Sequence, residues 1–405
     1  MDSTASIKVD SRCSKRLLGG HLWVYESDVK STEGSYSGGD IISVLDSRGK
    51  FIGRGYINDR SKIRARILSF EDEKIDAGFF KKRIQSALTH RIFLGFPPHS
   101  SFRVVFSEGD LLPGLIVDKY EDILSVQFTT LGMEQWKGEI IEILKELLSP
   151  STIVERSDLG VREKEGLKQE KGVLYGKMNG ETELNKTIKQ DGLLFKVDLL
   201  EGHKTGFYLD QQDNRRVIKP FVRKRKVLDC FSYSGAFSIY AAAFGASEVV
   251  AVEDSGKVMD ILRENIKING FEEKIRTEKG DAFQWMREAY KKGERFDCVM
   301  LDPPSFVRGK DARGGALRGY KDINILGLKL LNDGGYLVTS SCSQNISAHN
   351  LIEIVKDSAS DAGCFVQLLE IRQQSKDHPI LASMPETHYL NFIVGKKISH
   401  CQLSY

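Results

Sequence analysis

An α/β fold, built on a doubly wound parallel sheet in the C-terminal half, is predicted by three observations. Strand-length apolar runs recur there, KVLDCF (226–231), EVVAVE (248–253), FDCVMLD (296–302) and GGYLVTSSC (334–342), and helical segments separate them. Strands alternating with helices at this spacing mark βαβ units. The 405 residues, 40 % hydrophobic and 9 % aromatic, suffice for more than one buried core and exclude a largely disordered chain.

The elements follow in three textures. Residues 1–72 read as short strands. IISVLD (41–46), a turn at Ser47-Arg48-Gly49-Lys50 and FIGRGYI (51–57) form a hairpin. In KIRARILSF (62–70), Ile63, Ala65 and Ile67 alternate with Lys62, Arg64 and Arg66, which predicts a basic row on one strand face. Residues 73–195 read as a small α+β domain. DAGFFKKRIQSALTHRIF (76–93) has helical spacing and is bounded by Pro97-Pro98; FRVVF, GLIVD and ILSVQF are strand-like; EQWKGEIIEILKELL (134–148) is an amphipathic helix stopped at Pro150. Residues 196–405 carry the βαβ series, with SYSGAFSIYAAAFGA, SGKVMDILRENIKING and HNLIEIVKDSASDAG (349–363) as its helices.

Charge and cysteine usage narrow the function. Lys plus Arg is 59 against 56 Asp plus Glu, a net charge of +3, so any nucleic-acid signal must be local. Residues 1–66 alone hold 12 basic against 8 acidic side chains. The six cysteines lie far apart with no C-x-x-C pair, which argues against a disulfide framework or a zinc ribbon and for a reducing cytoplasm. No apolar run approaches the roughly 18–20 residues that cross a bilayer, and MDSTASIKVD lacks a signal-peptide core.

In a doubly wound sheet, ligands sit beyond the carboxyl ends of the strands. The first strand ends Asp229-Cys230-Phe231-Ser232-Tyr233-Ser234-Gly235, where side chains occupy glycine positions that a pyrophosphate loop needs. A polar ligand without phosphates fits better. Glu253 ends the next strand, placed for a ribose diol, and Asp281 of KGDAF follows for an adenine amino group. Those three carboxylates in order suggest S-adenosylmethionine. The fourth strand ends Asp302-Pro303-Pro304-Ser305-Phe306, a stiff wall suited to an aromatic base. The next ends Ser340-Ser341-Cys342, a strand-end thiol among hydroxyls. Such a thiol is a nucleophile if its pKa is lowered and a packing residue otherwise.

The whole chain resembles the bacterial large-subunit rRNA cytosine-C5 methyltransferases with an N-terminal PUA domain. The motifs are RLLGGHLWVYESDV (16–29), RSDLGVREKEGL (156–167), GHKTGFYLDQQDNR (202–215), DCFSYSGAF (229–237), LDPPSF (301–306), RGYKDIN (318–324), SCS (341–343) and DHP (377–379). One departure is Gln212, where an arginine often follows the Asp-Gln pair. The resemblance implies a PUA β-barrel over 1–72, the middle domain over 73–195 and a class I methyltransferase domain over 196–405. It implies that Thr205, Tyr208 and Asp210 lie near the cofactor and that 229–237 (Asp229, Phe231, Ser232, Tyr233, Ser234 and Gly235) hold its methionine part. Glu253 would take the ribose, and Asp281 with Ala282 the adenine. Cys342 matches the family's catalytic thiol and Asp302 its fourth-strand acid.

Chemistry supports that assignment. C5 of cytosine attacks a methyl sulfonium only after a thiolate adds at C6 with N3 protonated or strongly hydrogen-bonded. Asp302 would engage N3 and the 4-amino group, either protonated or through water, and Glu386 or a water would remove the C5 proton. Pro303, Pro304 and Phe306 would face the base, which must be unstacked. Arg12, Lys15, Arg16, Lys62, Arg64 and Arg66, with His21, form an expected phosphate track, and Arg223–Lys226 a second basic cluster. Arg308–Tyr320 is expected to be a mobile loop that orders over RNA. The partner would be 23S rRNA, with room left for a homodimer. Two other readings use the same residues: methylation of a base nitrogen such as guanine N7, with Cys342 a bystander, and a catalytically silent RNA-binding or ribosome-assembly protein.

Overall fold

The computed structural model describes residues 5–176, 184–202, 205–306 and 313–399. The chain forms two compact units. Met1–Ile188, Val197–Leu209 and Lys376–Thr387 make the first; Lys189–Lys196, Asp210–Ser375 and His388–Tyr405 make the second.

The first unit opens with β1 (Ser6–Val9), α1 (Ser11–Leu18), β2 (Trp23–Tyr25), β3 (Val29–Glu33), β4 (Ile41–Leu45), β5 (Phe51–Ile57) and β6 (Ile63–Ser69). Their sheet has the order β2-β6-β5-β4-β1-β3. The β4–β5 turn falls where the sequence places it, because Asp46 Oδ1 accepts from the backbone N–H groups of Arg48 (2.8 Å) and Lys50 (2.9 Å). Then come α2 (Ala77–Phe93), β7 (Phe102–Phe106), β8 (Leu115–Tyr120), β9 (Ile123–Phe128), α3 (Leu131–Gln135), α4 (Lys137–Leu148), β10 (Thr152–Ser157), α5 (Val161–Lys164) and β11 (Glu170–Tyr175). Asp76 caps α2 by accepting from the Phe79 N–H, and the five strands order β11-β10-β9-β8-β7. A two-stranded sheet, β12 (Asn185–Gln190) and β13 (Leu193–Asp198), follows.

The basic row predicted on 62–66 is real as a pattern and wrong as an open surface. β6 lies inside its sheet, between β2 and β5, and Arg66 is covered. Its guanidinium donates to Glu165, just past α5, at 2.8 and 3.1 Å. Asn58 Nδ2 (2.9 Å) and Ser61 Oγ (2.6 Å) donate to the same carboxylate. The two charged side chains are 6 % and 3 % exposed, so this is an interior ion pair and not a phosphate contact. Arg64 is held by Asp59 and Glu26, and Arg16 by Asp28 at 2.5 Å and the Trp23 carbonyl at 3.1 Å. Arg12, Lys15 and Lys62 are exposed.

The second unit comprises α6 (Gln212–Val217), α7 (Lys219–Val222), β14 (Lys226–Cys230), α8 (Ala236–Ala243), β15 (Glu248–Glu253), α9 (Gly256–Ile268), β16 (Ile275–Lys279), α10 (Ala282–Lys291), β17 (Phe296–Leu301), α11 (Arg313–Leu330), β18 (Leu331–Ser341), α12 (Ala348–Asp361), β19 (Cys364–Gln373) and β20 (Asn391–Ser399). Its sheet runs β16-β15-β14-β17-β18-β20-β19, parallel through β18 and antiparallel at β20. Leu228, Val250, Val299, Leu301 and Leu337 join one buried cluster, which is why these strands read as continuous apolar runs.

The expected loop over 308–320 needs correcting. Arg313–Tyr320 form the first turns of α11, because Ala316, Tyr320 and Ile323 recur at helical spacing and are fully buried; residues 307–312 lie outside the described residues. Among the described residues, no helix is long and apolar enough to cross a membrane.

Candidate active site

The second sheet reverses its order at β14: β15 and β16 extend to one side, β17 and β18 to the other. Such a switch point opens a crevice beyond the strand ends. Beyond β14 the backbone turns sharply, with φ of +62° at Phe231, +49° at Tyr233 and +85° at Gly235. Two non-glycine residues in the left-handed region cost free energy that the surroundings must offset. Ser232 supplies part of it: its N–H donates to the Val252 carbonyl (3.1 Å) and its hydroxyl to the Asp229 carbonyl (2.7 Å). Tyr233 N–H donates to Glu253 Oε2 at 2.9 Å. Gly235 is favoured there, since its φ is positive and a Cβ would stand 2.3 Å from Leu262 Cδ1, which would have to shift.

Glu253 is therefore fixed at the end of β15. Its Oε1 also accepts from the N–H groups of Asp254 (3.1 Å) and Ser255 (3.0 Å). The Gly280 N–H donates to the Glu253 carbonyl (3.1 Å), which brings Asp281 alongside. Asp281 caps α10 through the Gln284 N–H at 2.9 Å, with Ala282 buried behind it. Asp229 is 1 % exposed and accepts from Ser238 Oγ at 2.6 Å. Burial pushes its carboxyl up to about 7, and the charges of Asp302 and Glu253 push the same way against the Ser238 hydrogen bonds.

A cluster of carboxylates at these strand ends, Asp229, Glu253 and Asp302, repels a pyrophosphate and favours a cation. The Ser234 hydroxyl, buried in the same turn, has no hydrogen-bond partner among the described residues. A ligand with an ammonium, a sulfonium and a ribose diol but no phosphate, S-adenosylmethionine, fits that donor and acceptor set.

The neighbouring strands position Asp302 and Cys342, the two residues expected to carry the chemistry. Leu301 of β17 pairs with Thr339 of β18, so Asp302 comes level with Ser340, two residues before Cys342. The Ser340 hydroxyl donates to Asp302 Oδ1, and Gln211 Nε2 donates to the same oxygen at 3.0 Å. Cys342 Sγ lies 3.9 Å from the Pro303 carbonyl, and Cys342 is half-buried, whereas Cys13, Cys230, Cys298 and Cys364 are buried. Burial raises the thiols of Cys230 and Cys298, which leaves them inert. Cys401 lies outside the described residues. In the wall, Pro303 is buried and Pro304 exposed. Phe306 is half-buried against Tyr320 (ring centroids 4.8 Å) and Phe283 (5.9 Å).

Other expected residues divide between the units. Asp210, in the second, accepts from the Tyr389 hydroxyl at 2.7 Å. Thr205 and Tyr208 belong to the first; the Thr205 hydroxyl donates to Asp118 at 2.5 Å and meets the Tyr120 hydroxyl at 2.9 Å. Glu386 is also in the first unit, 3.6 Å from His21 Nε2. Arg223 and Lys224 are exposed, while Arg225 stacks over Tyr336 and Lys226 over Phe296. Sequence reasoning missed Gln211, although it sits inside the GHKTGFYLDQQDNR motif; a buried amide just before a helix start gives no signal until its partner is known.

Comparison with known proteins gives two family matches. Residues 7–70 match a PUA-like domain family, and residues 174–383 match an S-adenosylmethionine-dependent methyltransferase family. The chain is 39 % identical over 401 residues to Ribosomal RNA large subunit methyltransferase I of Tolumonas auensis, covering 98 % of this chain and 100 % of that one. It is 39 % identical over 379 residues to the protein of that name in Escherichia coli O127:H6, covering 93 % and 95 %. A solved structure described as a methyltransferase complexed with SAH superposes with a TM-score of 0.83 at 20 % identity, over 96 % of this chain and 99 % of that one. One from Streptococcus mutans, described as SAM-dependent, gives 0.82 at 20 % identity with the same coverage. At that identity these two likenesses speak for the fold alone.

Proposed function

Because the chain belongs to the S-adenosylmethionine-dependent methyltransferases, in the group named ribosomal RNA large subunit methyltransferase I, we propose that it methylates C5 of a cytidine in 23S rRNA. The observation that supports the cytosine reading is the half-buried Cys342 thiol 3.9 Å from the Pro303 carbonyl, in the wall that begins with the Asp302 carboxyl, to which Ser340, two residues before the thiol, is hydrogen-bonded. Methylation of a base nitrogen needs no such thiol.

S-adenosylmethionine, when bound, supplies an electrophilic methyl group. The 231–235 turn with Asp229 would hold its methionine part, Glu253 its ribose, Asp281 with Ala282 its adenine, and Asp210 lies on the segment leading into the unit. Cys342 Sγ adds to C6 of the cytosine while Asp302 engages N3, which turns C5 into an enamine-like nucleophile. After methyl transfer a base takes the C5 proton, the C6–sulfur bond breaks, and the thiolate returns. Pro303 and Pro304 keep the wall rigid, and Phe306, braced by Tyr320, bounds the pocket. Arg12, Lys15 and Lys62 of the PUA-like domain are the candidates for phosphate contact.

The test is nucleoside mass spectrometry of 23S rRNA after incubation with the protein. 5-Methylcytidine, absent with Cys342→Ala, is the expected product. A methylated guanosine, made equally by wild type and Cys342→Ala, would replace this reading with nitrogen chemistry.

A further inference from the structure

Tyr320 of the RGYKDIN motif brings a buried hydroxyl to the strand end that carries Cys342. α11 delivers it there. The Asn324 amide donates to the Tyr320 carbonyl at 2.8 Å, Tyr320 is fully buried, and its ring centroid lies 4.8 Å from that of Phe306. Leu351 and Ile354 of α12 and Ile393 of β20 join the ring in one apolar cluster. The phenol oxygen has different company. It faces the Phe306 backbone N–H and the Ser341 hydroxyl, and the charges of Cys342 and Asp302 act on it, that of Cys342 more strongly. Neither the phenol nor the Ser341 hydroxyl closes a hydrogen bond among the described residues. A buried O–H left open in this way is costly, and such groups gather where a site tightens only with its substrate in place. The Phe306 N–H can only donate, so it meets the phenol oxygen and the phenol proton is directed away from it, toward the end of β18. Burial first, then the charges of Cys342 and Asp302, hold that proton above the ordinary phenol range, so Tyr320 stays a neutral donor wherever a thiol ionises.

We propose that Tyr320 is a positioning residue for the nucleophile: its phenol, oriented by the Phe306 N–H, turns its O–H toward Cys342 and stabilises the thiolate in a crevice whose carboxylates oppose it. This deepens the cytosine reading and rests on it. A neutral donor suits the place, because a lysine or arginine there would add a positive charge against the sulfonium of the cofactor. The phenol keeps its proton throughout, so no bond is made or broken at Tyr320. The titratable and charged groups around this strand end are Tyr320 of α11 and Asp302 beyond β17, and Asp229 of β14 and Arg215 of α6 act on Asp302 in turn.

Tyr320→Phe keeps the ring and removes the O–H, and Ser341→Ala removes the neighbouring hydroxyl while leaving the phenol. Cys342 is read without RNA, from the pH dependence of its alkylation by iodoacetamide, followed on the Cys342 peptide by mass spectrometry. The half-buried thiol is open to the reagent, whereas Cys13, Cys230, Cys298 and Cys364 are buried. In Tyr320→Phe the thiol midpoint moves up by about one unit, so alkylation at neutral pH slows about tenfold; in Ser341→Ala it stays within about 0.3 unit. In single-turnover methyl transfer to 23S rRNA, the low-pH limb of Tyr320→Phe moves up by the same amount. Above that limb the rate returns to within about threefold of wild type, and S-adenosylmethionine affinity stays within about twofold. A tyrosine that only packs would lower the rate at every pH alike and move neither midpoint. An alkylation profile unmoved in Tyr320→Phe, or moved only in Ser341→Ala, overturns the proposal. If the thiol midpoint moves while the product is not 5-methylcytidine, the link from Tyr320 to Cys342 stands and the cytosine reading fails. If 5-methylcytidine forms through Cys342 with the midpoint unmoved, the reverse holds.

Discussion

If Asp229 lies beside the cofactor as proposed, cofactor binding is a proton-linked event. The Asp229 carboxyl sits at about 7 because it is buried beside Asp302 and Glu253. A cationic ligand draws it back to the ionised form, so binding should release a proton near neutrality. We predict that S-adenosylmethionine affinity rises with pH from about 6 to 8 and then levels, with buffer-dependent heats in calorimetry; Asp229→Asn should flatten that rise. An affinity independent of pH in the wild type would remove Asp229 from the cofactor's surroundings. The linkage also has a sign for the free protein. The folded carboxyl keeps its proton to higher pH than the unfolded one. The resulting stability is therefore full below the ordinary carboxylate range and is lost as pH rises through about 7. At this scale the sequence marked Cys342, Asp302, Glu253 and Asp229 by their place at strand ends, and the structure sets all four at or just beyond the ends of their strands. It was blind to Gln211, whose meaning lies in a hydrogen bond to Asp302, 91 residues away.

Elements were legible where one period decided them. β14, β15, β17 and β18 are buried on both faces and read as apolar runs; the start of α2 is marked by its Asp76 cap. Two elements misled. The alternation in β6 correctly gave a strand, but period-two patterning says only that two faces differ, not that the polar one meets water. Glu165, about a hundred residues on, covers it. Arg66→Ala should accordingly destabilise the fold by about 3 kcal/mol, measured by urea unfolding, because it strands a buried carboxylate. The glycines at the start of α11 suggested a loop, yet burial of Ala316, Tyr320 and Ile323 outweighs the roughly 1 kcal/mol that each helical glycine costs. The turn after β14 carries the opposite lesson, since there glycine is favoured. Gly235→Ala should cost about 2 kcal/mol or more and weaken S-adenosylmethionine binding, as the added carbon meets Leu262 and the residue keeps a positive φ.

The whole molecule joins a PUA-like domain to a methyltransferase sheet, and its charge belongs to local clusters in a chain of net +3. If Lys62 contacts phosphate, Lys62→Ala lowers the slope of log affinity against log salt for single-stranded RNA by about 0.7. Arg66→Ala, read at a temperature where it is folded, leaves that slope unchanged. The central claim is that Cys342 attacks the base. It is tested most directly by incubating the protein and S-adenosylmethionine with 23S rRNA carrying 5-fluorocytidine, then digesting and sequencing the adduct by mass spectrometry. Fluorine at C5 blocks the final proton loss, so the thioether cannot resolve. The account predicts a denaturation-resistant protein–RNA adduct whose modified peptide carries the nucleotide on Cys342. Full methylation of unsubstituted rRNA with no adduct on that sulfur would contradict it.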